Sequence, residues 1–300
     1  MTRRSAVGAA VISALCFGSL AVLASAAYQR DAEPLQLLVW RFGLATVLLA
    51  AFLGIRSPES LKTTRGDLAR FAVLSGAGYG AASLCFFFAL RYADASVVAI
   101  LLYTYPAMVV IAERFITRAP LRGSRIAAVA ATFAGCVLVI DPLSESGAVS
   151  PVGIVLGLGA AAGYASFSML SQHWLKGRSR GGLMVYMFGF TALLALAAAL
   201  LTGSTVSATA WTSEVWLLLA AIVVFPTFLA ILLYFAAIRS LGAAQAALIS
   251  TTEPVFTIAL AAVVLGEALS PVQWAGAACV IGGVVVAEWG ARRSEVPIAV

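Results

Sequence analysis

Charged residues are the scarcest class in this chain. Asp, Glu, Lys and Arg together make up 11% of its 300 residues, against about 25% in a soluble domain. Hydrophobic residues reach 62%. One water-facing core cannot hide that much apolar surface, because its exterior needs polar cover. A lipid-facing exterior needs none.

Other absences narrow the chemistry. The four cysteines, Cys16, Cys85, Cys136 and Cys279, lie inside apolar runs with no CxxC spacing and no Cys/His pairing. That excludes a disulfide framework and a zinc site, so neither metal nor cofactor is expected. The single histidine, His173, sits beside Trp174 and Lys176 with no partner for base or metal work, and is taken as an interfacial polar residue. No Ser/His or Cys/His pair and no adjacent intramembrane carboxylates occur, so catalysis is not expected. The net charge of +6 comes from cations scattered singly, without the aromatic-interleaved stripe of a nucleic-acid surface. Cytoplasmic loops beside an anionic leaflet account for it better.

What is present is a series of apolar runs, each about the 20 residues needed to cross a bilayer. They fall near 5–27, 35–55, 69–91, 95–117, 122–140, 151–173, 182–202, 212–238, 243–266 and 270–290. Loop residues separate them: Asp31 to Pro34, Ser57 to Glu59, Asp141 to Ser150, Lys176 to Gly182, and Gly203 to Ser213. The first run, with Arg3, Arg4 and the small residues Ala24 to Ala27, resembles a cleavable signal peptide. It is long for one and matches a later run, so a retained span is expected.

With a cytoplasmic N-terminus, only Arg30 and Arg91 of the 19 Lys and Arg fall outside and Arg41 lies within a span; all others are inside. Trp174 and Trp289 then mark inner ends, and Trp211, Trp216 and Trp274 outer ends. The expected fold is therefore an all-α polytopic membrane protein of ten transmembrane helices, with both termini cytoplasmic and the lipid bilayer as its surroundings.

The chain also repeats. At an offset of 148, Ala89 to Arg91 meets Ala237 to Arg239, Tyr105-Pro106 meets Glu253-Pro254, Leu121 meets Leu269, and 134–137 meets 282–285. At 146, Leu37 to Gly43 meets Leu183 to Gly189; at 145, Gly8 and Gly18 meet Gly153 and Gly163. Two units result, 1–146 and 147–300. Each holds an odd number of spans, so the second enters the membrane inverted, the arrangement of alternating-access transporters.

Ten spans, this repeat, Glu253-Pro254 followed by Leu265, Gly266 and Glu267, Arg41-Phe42-Gly43, and Trp274 to Gly276 together resemble the drug/metabolite transporter superfamily, specifically its EamA-type exporters. The resemblance covers essentially the whole chain. It implies solute movement by alternating access at a multi-pass, bacterial inner-membrane location, with spans 1–4 and 6–9 around a cavity and spans 5 and 10 peripheral. It does not name the solute. An intramembrane enzyme or a sensor or assembly subunit is the alternative class.

Candidate site residues follow from what is costly in a bilayer. Pro106 and Pro254, mid-span at equivalent positions, each remove a backbone donor; paired helix breaks mark either a transport site or static kinks. Pro226, without a proline counterpart, is taken as a kink. Glu253 is the one carboxylate at the centre of a span, where an isolated acid costs on the order of 3 kcal/mol. It is either a proton-coupling or substrate-amine group, or the partner of Arg41 in a structural pair. Glu113, Glu267 and Glu288 lie near span ends and can snorkel. Tyr79, Tyr103, Tyr105 and Tyr164 fall near mid-depth, and of these Tyr79, Tyr103 and Tyr164 are the candidate binding residues with Glu253. The glycines flanking Tyr79 and Tyr164 serve either close helix approach or a cavity. An aromatic, mostly uncharged lining suits small-molecule substrates that are zwitterionic or weakly charged: amino acids including aromatic ones, or aromatic drug-like compounds. The absence of mid-span lysine argues against sugar phosphates.

Overall fold

The computed structural model describes residues 1–89, 92, 95–117, 123–140, 150–174, 179–265 and 270–295, and all regular structure among them is helical. The helices are α1 (Arg3–Tyr28), α2 (Pro34–Arg56), α3 (Arg65–Leu74), α4 (Gly80–Ala89), α5 (Ala95–Leu102), α6 (Tyr105–Thr117) and α7 (Gly123–Ile140). They continue as α8 (Pro151–Trp174), α9 (Arg180–Thr202), α10 (Ser213–Ile222), α11 (Ala230–Leu241), α12 (Ala243–Ser250), α13 (Glu253–Leu265) and α14 (Pro271–Glu295). Among the described residues seven runs are long and apolar enough to cross a membrane: Arg3–Tyr28, Pro34–Arg56, Arg65–Ala89, Val98–Ile116, Pro151–Trp174, Arg180–Thr202 and Ser213–Leu241. Gly123–Val139 and Pro271–Ala287 are shorter apolar helices. Arg91, Arg118, Leu121, Arg122, Lys176, Glu267, Leu269 and the stretch 141–149 lie outside the described residues.

Local chemistry sets the ends. Pro34 opens α2, where a fixed φ suits the first turn, and Glu33 and Gln36 form a reciprocal capping box. Pro106 and Pro254 each stand second in a new helix, α6 and α13. The turns ahead of them, 103–104 and 251–252, are closed by threonine hydroxyls. Thr104 donates to the Leu101 carbonyl at 2.6 Å, Thr251 to Leu248 at 2.6 Å, and Thr252 to Ile249 at 2.9 Å. The hydroxyls thus reinforce, without water, backbone bonds that close the last turn of α5 and of α12.

Two further breaks are wider turns inside continuous runs. Ser75–Tyr79 and Val223–Leu229 are π-helical, with Gly80 N–H bonding to the Ser75 carbonyl and Ala230 N–H to Phe225. In the first, Gly78 leaves the helical region (φ −120, ψ −114). In the second, Pro226 has no N–H to give the Ile222 carbonyl, and the Thr227 hydroxyl supplies the bond instead at 2.8 Å. An offset of 148 carries Gly78 onto Pro226 and Tyr79 onto Thr227. The kink at Pro226 therefore does have a counterpart, made by glycine rather than proline.

Packing follows the repeat. α1 lies against α11 and α13, and α8 against α4, α5 and α6, an exchange of equivalent partners. α2 packs on α9, where Phe42 meets Phe188, its equivalent at offset 146, with ring centroids 5.9 Å apart. α7 and α14 pair so closely that a Cβ on Gly135 would lie 2.6 Å from the Val280 nitrogen, and one on Gly276 2.6 Å from that of Val139. A Cβ on Gly283, equivalent to Gly135, would likewise come within 3.0 Å of the Thr132 nitrogen. Contacts that ascend α7 descend α14, so the two helices run antiparallel. Without a hydrophobic driving force between helices in lipid, such backbone approach is what holds them.

The apolar residues left on the outside are large: Ile55, Phe115 and Leu201 are each more than three-quarters exposed. At one end of the bundle Trp40, Trp211 and Trp216 form a cluster with centroids 5.3–6.2 Å apart. Trp40 and Trp211 donate their indole N–H to the Val206 carbonyl at 2.9 Å and the Gln36 side-chain carbonyl at 3.0 Å. Arg30 and Glu214 pair beside them at 2.6 Å. This belt ties the connection between α9 and α10 onto the start of α2. Glu113, near the end of α6, is paired with Arg125 of α7.

Candidate functional site

Tyr164, in the middle of α8, is the centre of an aromatic cluster that draws on both units. Its ring lies 4.8 Å from Tyr105 of α6, 5.5 Å from Phe167, 6.1 Å from Tyr234 of α11, 6.4 Å from Tyr79 and 6.5 Å from Phe17 of α1. Edge-on and tilted arrangements dominate, as ring quadrupoles favour. Tyr234 and Ser168 share a hydrogen bond of 2.7 Å, and Tyr105 donates to the Ala247 carbonyl at 3.2 Å.

Glu253 opens α13 at the edge of this cluster. The Tyr103 hydroxyl is its side-chain hydrogen-bond partner, and Tyr79, Tyr105, Tyr164 and Tyr234 lie within its electrostatic reach. Phe17, Tyr79, Tyr103, Tyr105, Phe167 and Tyr234 are buried, whereas Tyr164 and Glu253 are only half-buried. Tyr164 and Glu253 are therefore the members of the cluster that keep partial exposure. That pairing can bind an amine beside an aromatic or aliphatic surface, and the carboxyl can also carry a proton.

Arg41 is not the partner of Glu253, so the structural-pair alternative has no ion pair behind it. The guanidinium, 4% exposed, donates to the Thr227 hydroxyl at 2.7 Å, and to the Tyr79 hydroxyl and the Pro226 carbonyl at 3.3 Å each. It also lies 4.8 Å from the centre of the Phe42 ring.

The structure thus brings Tyr79, Tyr103, Tyr164 and Glu253 together, with Pro106 and Pro254 at the breaks beside them. Tyr105, Phe17, Phe167 and Tyr234 also belong to the cluster. Tyr234 escapes a sequence reading because the span expected to stop at 238 runs on to Leu241, so an apparently interfacial tyrosine lies deeper. Of the flanking glycines, Gly163 and Gly78 serve close helix approach, since a Cβ on Gly163 would lie 2.9 Å from the Ala82 nitrogen and one on Gly78 3.3 Å from the Phe167 Cα, whereas a Cβ on Gly76 would meet nothing within 4 Å. An apolar groove of about 340 Å³ lies elsewhere, between α6 and α7, and shares Tyr103 and Pro106 with the wall of the cluster. Among the described residues no group of His, Cys, Asp and Glu is placed to hold a metal ion.

Apolar helices of spanning length, a lipid-suited exterior and an aromatic cluster built from both sequence units define a multi-pass membrane protein with an interior candidate site. The profile of the EamA-like transporter family matches the chain twice, over residues 4–141 and 151–289, and the chain belongs to that family of membrane transporters. It is 31% identical over 281 residues to a Bacillus subtilis (strain 168) protein named uncharacterized transporter YcbK, covering 89% of this chain and 87% of that one. A second protein of that organism, named uncharacterized transporter YetK, is 24% identical over 249 residues, 82% of this chain and 76% of the other. One crystal structure superposes with a TM-score of 0.83 at 20% identity, over 98% of this chain and all of the other. That likeness concerns the fold alone.

Proposed function

We propose that this transporter exports small zwitterionic or weakly charged metabolites across a bacterial inner membrane by alternating access. Amino acids including aromatic ones, or aromatic drug-like compounds, are the substrate class. The observation that carries the proposal is the half-open pair Tyr164 and Glu253, enclosed by helices of both sequence units. Tyr79, Tyr103 and Tyr164 contribute ring surface and hydroxyls, Glu253 takes a substrate amine or a coupling proton, and the breaks at Pro106 and Pro254 let α5–α6 and α12–α13 flex around the site. The antiparallel pairing of α7 with α14 supports two inverted units that rock about the midplane, with ten spans and both termini cytoplasmic. Purified protein in proteoliposomes should carry labelled amino acids from this class, and empty liposomes should not.

Orientation has its own test. A reporter active only in the cytoplasm should work when fused after Val300 or inserted near Gly66 or Gly177, and should be silent near Ser146 or Ser207. The opposite pattern at any two of these sites overturns the ten-span arrangement.

A further inference from the structure

Arg41 is a costly residue whose expense the binding site does not explain. A guanidinium stays protonated, and burying it in a low-dielectric interior is unfavourable without compensation. Among the described residues no carboxylate pairs with Arg41. Its partners are neutral, and they are the two π-turns. One nitrogen of the fork, Nε, reaches Thr227 at 2.7 Å, and Nη2 reaches both Pro226 O and Tyr79 Oη at 3.3 Å. Tyr79 closes the π-turn of the first unit, and Thr227 occupies the equivalent place in that of the second. The bond to Thr227 continues into the turn itself, because the same hydroxyl serves the Ile222 carbonyl that Pro226 leaves bare. The second unit has no matching cation: the equivalent of Arg41 at offset 146 is Met187, whose backbone carbonyl accepts from Ser75 of the first π-turn at 2.8 Å.

We propose that Arg41 is a positioning residue that couples the π-turns of the two units, so that the helix runs 65–89 and 213–241 bend together during transport. π-turns inside α-helices are points of local distortion and concentrate at functional sites. Two independent hinges would allow half-bent states in which the site opens to both sides or neither. A planar fork held by both turns disfavours those states, and a lysine, with a single point of charge, cannot span both in the same geometry. The proposal rests on the transport function given above, and it assigns Arg41 no contact with substrate.

The test is the concentration dependence of flux in proteoliposomes for the full chain and its variants. Arg41→Gln should lower the maximal rate about tenfold or more while the half-saturating concentration stays within about twofold, the signature of a lost step rather than lost binding. Arg41→Lys should remain close to Arg41→Gln. Should the arginine variants fail to fold, Thr227→Val supplies the same test from the acceptor side. It should lower the rate, Thr227→Ser should restore it, and the double variant Arg41→Gln/Thr227→Val should be no slower than the worse single. Full rate in Thr227→Val, or a loss expressed only as weaker half-saturation, overturns the coupling role. If the unaltered protein moves solute and Arg41→Gln does so at full rate, coupling alone fails. If the unaltered protein moves none of the proposed class, the transport assignment itself fails.

Discussion

Glu253→Gln should abolish accumulation driven by a pH gradient while leaving downhill exchange of the same solute largely intact. Glutamine keeps the shape and one hydrogen-bond acceptor for Tyr103, but it cannot take up and release a proton. The position is what makes the effect large. Glu253 follows a turn closed by Thr251 and Thr252, stands at the first residue of α13, and leaves part of its surface open beside Tyr164. No lysine or arginine among the described residues pairs with it, so its proton is free to respond to substrate and to the side it faces. The thermal stability of the variant should stay near that of the unaltered protein, because no ion pair is broken. Gradient-driven accumulation at full rate by Glu253→Gln removes the coupling role and leaves facilitated diffusion as the mechanism. A large drop in stability restored by a compensating change at Arg41 would show the two charges acting as a pair, contrary to the geometry.

Replacing Tyr164 by alanine should reduce flux about tenfold or more, well beyond any fall in folded yield, since it removes both ring contact area and a phenolic hydroxyl. Tyr164 touches Phe17, Tyr79, Tyr105, Phe167 and Tyr234 and is the one ring of the set left half-open, so its loss is felt by any solute lying against the cluster. Tyr79→Ala and Tyr103→Ala should also lower flux, Tyr79 through its contacts with Tyr164 and Arg41, Tyr103 through its hydrogen bond to Glu253. Because these two rings are almost fully buried, part of their effect should be lost stability. Normal flux in all three variants would make the aromatic cluster a packing core and nothing more.

Much of this arrangement is legible in the sequence because bilayers tolerate few solutions. Apolar runs separated by proline and charge give the helices, and an unshielded carboxylate at a span centre points to Glu253 without any alignment. The offset of 148 extends to atomic contacts: Gly135 against Val280, and Gly283 against Thr132, are the same contact made twice. Pro106 and Pro254 stand in the first turn of new helices, where a ring nitrogen without hydrogen costs no intrahelical bond. The π-turns are not legible in that way. One is built on Gly78 and the other on Pro226, so the shared geometry has no shared residue, and a bond five residues apart leaves no periodic trace. Tyr234 and Phe17 were hidden for a related reason: depth in the membrane depends on where a helix ends and bends, which hydropathy places only to within a turn. The pairing of Arg41 with Glu253, one of the two alternatives for that carboxylate, rested on their being the two isolated interior charges. It fails because Arg41 satisfies its donors on hydroxyls and a carbonyl of the π-turns instead.

Solute counterflow in proteoliposomes tests the central claim most directly. Vesicles loaded with an unlabelled aromatic amino acid and diluted into a trace of the labelled one should show a transient, saturable uptake above equilibrium. The same uptake should be nearly lost in Tyr164→Ala and retained in Glu253→Gln. Only a carrier with a site that faces each side in turn produces that overshoot. Uptake that rises to equilibrium without overshoot, or none above empty liposomes across amino acids and aromatic amines alike, would contradict the account.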